Sequence, residues 1–428
     1  MCRPIRQSPA SAACSPAMPC VLSNQTPRTA SRVSAPPFHP RSKGNPHMAA
    51  IIDLQPLPTG NPTSLVPMAP PAVTPLYTDP TRARHECASV EYFGRRLATL
   101  LGRPFRDQAL PGLPGYFIPL DTLTCEEAAM RGITCAQDLF GGVVPHAFVA
   151  SKLVSHGLVA NGAGAPPGWA PQLGAALGDA VLPGYSVFSA DDARRALVAL
   201  LPLGKVRGKL AHARGGHGQR VMASQADLEA WLAQVSDAEI ADGVVIELNL
   251  ESALTFSIGC VEVGGASIAY FGTQRTIGTP SGEVVYGGSV LRVARGGLDQ
   301  LRHVPLPRHA GDAIARVQHY ESTIVQAYPG FFASRRNYDV VHGRDAKGIE
   351  RCGVLEQSWR FGGASPAEIL ALEVLCAEPE VPWLDAMTYE TYEDEPVPGD
   401  ALVYFQDQVA SLGRLTKYAR VTADGRDP

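Results

Sequence analysis

The run Val354-Leu355-Glu356-Gln357-Ser358-Trp359-Arg360-Phe361-Gly362-Gly363 places a carboxylate and a guanidinium four residues apart, between an apolar stretch and a Gly-Gly turn. Side chains alternate along a strand, so positions 356, 358 and 360 share one face. That face carries an acid, a hydroxyl and a fixed cation. Charged groups sit on the inner face of a sheet when they pair or hold something. A metal-bound polyphosphate would use both groups, Glu356 for the cation and Arg360 for phosphate oxygens.

Upstream, Asn337-Tyr338-Asp339-Val340-Val341 leads to Asp345-Ala346-Lys347-Gly348. This is turn chemistry between two β-rich runs, and the spacing predicts a hairpin. If the hairpin is symmetric about Lys347 and Gly348, Asp339 lies opposite or nearly opposite Glu356. Like charges facing each other across a ladder repel, and a divalent cation between them would remove the penalty. A solvated hairpin with scattered charges is the plainer reading, and a one-residue bulge would spoil the pairing.

A length of 428 residues allows two or three domains. A net charge of −4 gives no reason to expect nucleic acid or an anionic membrane as partner. Nine scattered cysteines without C-x-x-C spacing fit reduced thiols in a cytoplasmic protein. No apolar run is long enough to span a bilayer, and a homo-oligomer is left open. Six of the 37 Lys and Arg residues are lysines: Lys43, Lys152, Lys205, Lys209, Lys347 and Lys417. Where arginine is the default cation, a lysine at a motif position is less often incidental.

Residues 1–85 are rich in Pro, Ser, Ala and Thr, with no acid before Asp53. The composition predicts a disordered segment outside the fold. The prolines argue against a transit-peptide helix, and translation from Met48 is an alternative to Met1. Residues 86–150 read as a small α/β module. Within it are a helix over Val90–Leu101, a strand at Tyr116–Leu120 and a helix Cys125–Arg131 capped by Thr124. From His146 a helical stretch carries Lys152. A strand at Gly184–Phe188 leads to a helix, Ala190–Leu201, that Ser189 caps and Asp191 and Asp192 favour in its first turn. Two further helices are expected at Ala226–Val235 and Asp312–Ala327, and a strand at Val244–Leu248. The tail, 376–428, reads as a C-terminal extension, acidic at Glu390–Glu395 and amphipathic over Ala401–Tyr418.

Lys205 to Leu210 runs into Arg214-Gly215-Gly216-His217-Gly218 and then Gln219 to Met222. This reads as strand, glycine turn, strand. Glycines let backbone N–H groups wrap phosphate oxygens, and Lys209 just upstream adds a point charge. It is not a Walker A loop, because the lysine precedes the glycines and no helix start follows. An ordinary hairpin turn fits the same residues. His212 and His217 read as solvent-facing, and Trp359 as a core residue.

In order, Lys152, the Ser189-capped helix, Lys209 before the glycine loop, the strand ending at Glu247, Asp339, and the Glu356–Gly363 segment resemble the ATP-grasp superfamily across residues 146–370. The last motif of that family reads E-x-N-x-R before a glycine-rich turn. The phrase Asp138-Leu139-Phe140-Gly141-Gly142-Val143-Val144-Pro145-His146 is also similar to an uncharacterised proteobacterial family, a domain of unknown function. The resemblance implies an α+β ATP-grasp fold, two α+β subdomains clasping ATP over residues 151–375. A small α/β domain of the pre-ATP-grasp kind would precede it at 86–150. It implies that Lys152 and Lys209 contact ATP phosphates under a flap of Gly215, Gly216 and Gly218. Glu247 and the backbone of Leu248 would read adenine, with Glu251 or Thr255 reaching the ribose. Asp339, Glu356 and Ser358 would bind Mg²⁺, and Arg360 would hold the transferred phosphate, with Lys209 its catalytic partner. Ser358 departs from the family's Asn and is a poorer metal ligand, and Gln357 points to the other face. Arg275 and Arg292 are candidates for a substrate carboxylate.

The activity implied is ligation of a small-molecule carboxylate to an amine or related nucleophile through an acyl phosphate, with release of ADP. The alternatives are a kinase that stops at phosphoryl transfer and a nucleotide-binding regulatory protein with a decayed site.

Overall fold

The computed structural model describes residues 71–78, 81–110, 112–213, 218–280, 282, 284–409 and 413–425. The first strands are β1 (Ala72–Leu76), β2 (Gly115–Pro119), β3 (Leu123–Thr124), β4 (Gly142–Val144), β5 (Gly184–Val187), β6 (Val206–Leu210), β7 (Arg220–Met222) and β8 (Val244–Leu248). The rest are β9 (Glu251–Val263), β10 (Ala266–Gly278), β11 (Val284–Arg295), β12 (Phe332–Ala333), β13 (Arg335–Arg344), β14 (Glu350–Ser358), β15 (Trp383–Thr391), β16 (Leu402–Val409) and β17 (Gly413–Asp424). The helices are α1 (Arg84–Leu101), α2 (Cys125–Ala129), α3 (Leu173–Leu177), α4 (Ala190–Leu200), α5 (Gln225–Leu232), α6 (Asp237–Asp242), α7 (Ala310–Ala327) and α8 (Ser365–Ala377).

An eight-stranded antiparallel sheet, in the order β14-β13-β9-β10-β11-β15-β17-β16, organises the larger part. Its two faces follow from period-2 alternation. In β9 and β10, Phe256, Ile258, Cys260, Ala269 and Phe271 pack with Ala313, Val317 and Tyr320 of α7. The intervening Val261, Val263, Ile268 and Tyr270 pack with Ala367, Ala371 and Leu375 of α8. A four-stranded antiparallel sheet, β5-β8-β6-β7, buries one face against α4, α5 and α6. Ser189 caps α4, its hydroxyl accepting from Asp192 N at 3.1 Å, and Thr124 caps α2 in a capping box with Glu127. A parallel pair, β1-β2, and a short sheet, β12-β4-β3, complete a mixed α/β fold.

Four expectations are corrected. Residues 72–76 are not outside the fold: Val73 is fully buried and β1 pairs along its length with β2. Pro75 hides this strand from sequence, although an edge strand tolerates a proline. Lys152 lies not in a longer helix but in a 3-10 turn, Lys152–Ser155, separated from another at Ala147–Ala150 by extended Ser151. The tail is no appendage, since β15, β17 and β16 continue the large sheet, and the amphipathic stretch is a β-hairpin. Finally, the hairpin turn centres on Lys347, with Arg344 opposite Glu350 and Gly348 at φ +77°. Asp345 fastens it by accepting from Lys347 N and Ile349 N. No described helix is long and apolar enough to cross a membrane.

Candidate functional site

The β13–β14 ladder contains a bulge beside Leu355. Val340 faces Val354, whereas Asp339 faces Glu356. A turn centred on Lys347 would have left Asp339 opposite Leu355; the extra residue moves Glu356 into line. Asn337 is opposite Ser358 one step along the same face. Burial, and then the charge of Glu356, pushes the Asp339 carboxyl up to about 7. Lys152 Nζ lies 2.6 Å from Glu356 Oε2 and donates to the Ala213 carbonyl. Gln357, on the opposite face, fixes this lysine: its Nε2 donates to the carbonyls of Val149 and Ser151 at 2.9 and 2.7 Å. Trp359 is buried, with Nε1 3.4 Å from the Tyr338 hydroxyl.

On the four-stranded sheet, Lys209 and Glu247 pair at 2.5 Å, and His156 Nε2 lies 3.1 Å from the other Glu247 oxygen. All three side chains are buried. Burial alone would raise the Glu247 pKa, but Lys209 and then His156 outweigh it and hold the carboxyl at about 2. Glu247 thus gives both oxygens to neighbouring side chains rather than presenting a free edge to a base. The Leu248 N–H is likewise taken, by the Pro183 carbonyl at 2.8 Å.

Arg335, which sequence reasoning missed, makes a bidentate pair with Glu368 at 3.0 and 2.7 Å and donates to Ser358 O at 3.0 Å. Asn337 Oδ1 lies 2.7 Å from Ser257 Oγ and 2.8 Å from Tyr270 Oη, with Nδ2 3.3 Å from Asp339 Oδ1. Tyr270 has one proton, and Glu368 at 2.6 Å can only accept it while paired with Arg335. The Asn337 atom facing Tyr270 is therefore better a donor, and a half-turn of the amide supplies one. That turn points the amide oxygen at Asp339. Gln274 Nε2 donates to Asp339 Oδ1 at 2.7 Å.

A cleft of ≈ 1520 Å³ is lined by residues of both the small and the large sheet. It gathers Lys152, Lys209, Glu247, Leu248, Asp339, Glu356, Ser358 and Arg360, with Thr255 and His212 on its wall. Gly215, Gly216 and His217 lie outside the described residues, and Gly218 sits in a turn at φ +66°. Arg275 and Arg292 are not on the wall: Arg275 stacks on Tyr389 at 4.0 Å, and Arg292 pairs with Asp385 at 2.8 and 2.7 Å. Glu251 is exposed at the start of β9 and is also absent from the wall. Arg207 joins the site, donating to Gln219 and Asn249 at 3.0 and 2.8 Å. Its signal in sequence was its position two residues before Lys209, on the same strand face. Asn337 was legible the same way, two residues before Asp339.

Among the described residues no group of three or more His, Cys, Asp or Glu forms a metal cluster. Two opposed carboxylates, with the Asn337 amide and the Ser358 hydroxyl (which accepts from Arg335 Nη1 at 3.3 Å) one step along the same face, nevertheless offer hard-oxygen donors that suit Mg²⁺. The raised Asp339 pKa comes first from burial and then from the facing Glu356 carboxylate, which Lys152 and Arg335 offset only in part.

The chain belongs to the family described as "Protein of unknown function (DUF3182)", whose match spans residues 73–419. No curated protein matches the sequence. Among solved structures, D-alanyl-alanine synthetase A from Vibrio cholerae O1 biovar eltor is similar at 10% identity and TM-score 0.40, covering 72% of this chain and 94% of that one. D-cycloserine synthetase DcsG is similar at 13% identity and TM-score 0.27, covering 44% and 60%. Likenesses of this size carry no information on chemistry.

Proposed function

We propose that this chain is a Mg²⁺-dependent enzyme of the ATP-grasp kind that joins a small-molecule carboxylate to an amine through an acyl phosphate. The observation that carries the reading is the opposition of Asp339 and Glu356 in a cleft that also gathers Lys152, Lys209 and Arg360. Asp339, Glu356 and the amide oxygen of Asn337 would hold the cation, with Ser358 beside them. When bound, Mg²⁺ supplies charge neutralisation at the polyphosphate.

In the first step two anions must meet. The substrate carboxylate oxygen attacks the terminal phosphorus as the bond to ADP breaks. Lys209, held by Glu247, and Arg360, two residues past the end of β14, offset the charge on the transferred group. Lys152 exchanges Glu356 for phosphate when the nucleotide enters. The deprotonated amine nitrogen then attacks the acyl carbon, the bond to phosphate breaks, and the proton lost from nitrogen leaves with the phosphate. The test is calorimetric titration with ATP in the presence and absence of Mg²⁺, followed by assay of ADP release with pooled carboxylates and amines. Binding that requires Mg²⁺ and ADP release that requires both pools support the reading. No nucleotide binding would remove it, and a stable phosphorylated product formed without amine would replace it with the kinase reading.

A further inference from the structure

The phosphate chemistry uses one part of the cleft, and the C-terminal strands wall another. There Glu390 of β15 faces Lys417 of β17 directly across the ladder, with Nζ 3.0 Å from Oε1. Both side chains are largely buried, at 12% and 7% exposure, and both line the cleft. Three of the five described lysines are buried (Lys152, Lys209 and Lys417), and all three line this cleft, whereas Lys205 and Lys347 are exposed. A buried ion pair is weak evidence for stability, because apolar residues of similar volume serve a fold as well or better.

The pair is also under-used. Among the described residues Lys417 donates one hydrogen bond, to Glu390, out of three available. Tyr286, Tyr392 and Tyr404 line the cleft beside it. The Tyr286 ring lies against Gly363, where an added Cβ would come within 2.4 Å of it. The ring thus packs on the turn that follows Arg360 and lines the same cleft as the ion pair.

We propose that Lys417 and Glu390 are the substrate-recognition pair of this site and that they take the zwitterion of a free amino acid. Lys417 holds the carboxylate and Glu390 the ammonium group, from which Glu390 accepts a proton before the freed amine attacks, so the amine component of the ligation is an amino acid. The assignment rests on the ligase reading. It also replaces Arg275 and Arg292, which stand off the cleft wall, with a cation that lies on it. A ligand carrying both charges satisfies the spare donors of Lys417 and the spare acceptor of Glu390 together, while a simple anion or amine satisfies one and strands the other.

The test is thermal denaturation of the full chain with Mg²⁺ and a non-hydrolysable ATP analogue, and again without them, against single proteinogenic amino acids and their D-enantiomers. The carboxamide and N-acetyl derivatives of any amino acid that binds are compared by calorimetry. The expected result is that at least one free amino acid stabilises the protein and that each derivative binds about tenfold or more weakly, having lost one charged contact. The neutral pair Lys417→Met with Glu390→Gln, chosen to keep volume and avoid a stranded buried charge, should abolish amino-acid binding and leave nucleotide affinity within about twofold. The proposal is overturned if no amino acid in the panel binds, if the derivatives bind as well as the parent, or if the double variant still binds it. Failure of the nucleotide arm alone overturns the ligase reading instead.

Discussion

Asp339 and Glu356 oppose each other across the β13–β14 ladder, and the cation against them, Lys152, lies on Glu356 at 2.6 Å. Burial first, and then the repulsion from Glu356 that Lys152 and Arg335 only partly cancel, push the Asp339 carboxyl up to about 7.

The sign of the resulting pH dependence follows. A carboxyl raised in the folded state stabilises the fold fully below its unfolded pKa, about 4. That contribution is lost as pH rises through the folded value, about 7. Urea unfolding of the metal-free wild type should show a stability decline between these values. Asp339→Asn should flatten the decline and, at pH 8, leave the protein more stable by about 1 kcal/mol or more. It should also weaken Mg²⁺ binding to the nucleotide-loaded protein. Equal slopes for the two proteins would place the raised pKa elsewhere.

Glu247 behaves in the opposite sense. Its carboxyl is held at about 2, so its contribution is present above about 4.5 and lost as pH falls toward 2. Lys209→Ala leaves this buried carboxylate without its cation and should cost about 3–5 kcal/mol of stability. Lys209→Met with Glu247→Gln should recover most of that loss. In the double variant, ATP affinity should remain lower by about 1.5–3 kcal/mol, the worth of a charged contact. Chemical denaturation and calorimetry separate the two effects, and full ATP affinity in the double variant would exclude Lys209 from the phosphate site.

The amide beside Asp339 makes Ser358 less of a defect than its position suggests. Asn337→Leu should reduce Mg²⁺ affinity of the nucleotide-loaded protein about tenfold, as loss of one oxygen partner would. Ser358→Asn should change it little, because a half-turn of the Asn337 amide across the ladder exchanges its Nδ2 for the oxygen at Asp339. Calorimetric Mg²⁺ titration decides the matter: a gain in Ser358→Asn and no loss in Asn337→Leu would return the ligand role to position 358.

Truncation at the N-terminus should have a sharp threshold. A chain beginning at Pro71 retains β1. A chain beginning at Ala83 loses the buried Val73 and Leu76 and the whole β1–β2 ladder. Each of those side chains is worth about 1.5–3 kcal/mol, so thermal denaturation should show a drop of several degrees only for the shorter chain.

Period-2 alternation fixes which side chains share a strand face. For that reason the acid and hydroxyl at 356 and 358, the Asp339 hairpin and the Lys209 strand were legible from short windows, whereas Arg360 lies beyond β14 and off its alternation. The caps at Thr124 and Ser189 were legible for the same reason: each is local chemistry, complete within four residues. The parts that were missed depend on which strands become neighbours. The bulge at Leu355 has no sequence signature, yet it brings Glu356 into line. Pro75 disguised a strand that is stable only because β2 lies beside it. Arg335 and Glu368, Lys152 and Glu356, and Glu390 and Lys417 are each separated in sequence and joined only by sheet order and helix packing. By itself the sequence determined the chemistry available on each local face. The tertiary structure decided which faces meet, because a cross-strand or cross-sheet pairing is stabilised by burial distributed over the whole fold and leaves no periodic trace in either partner.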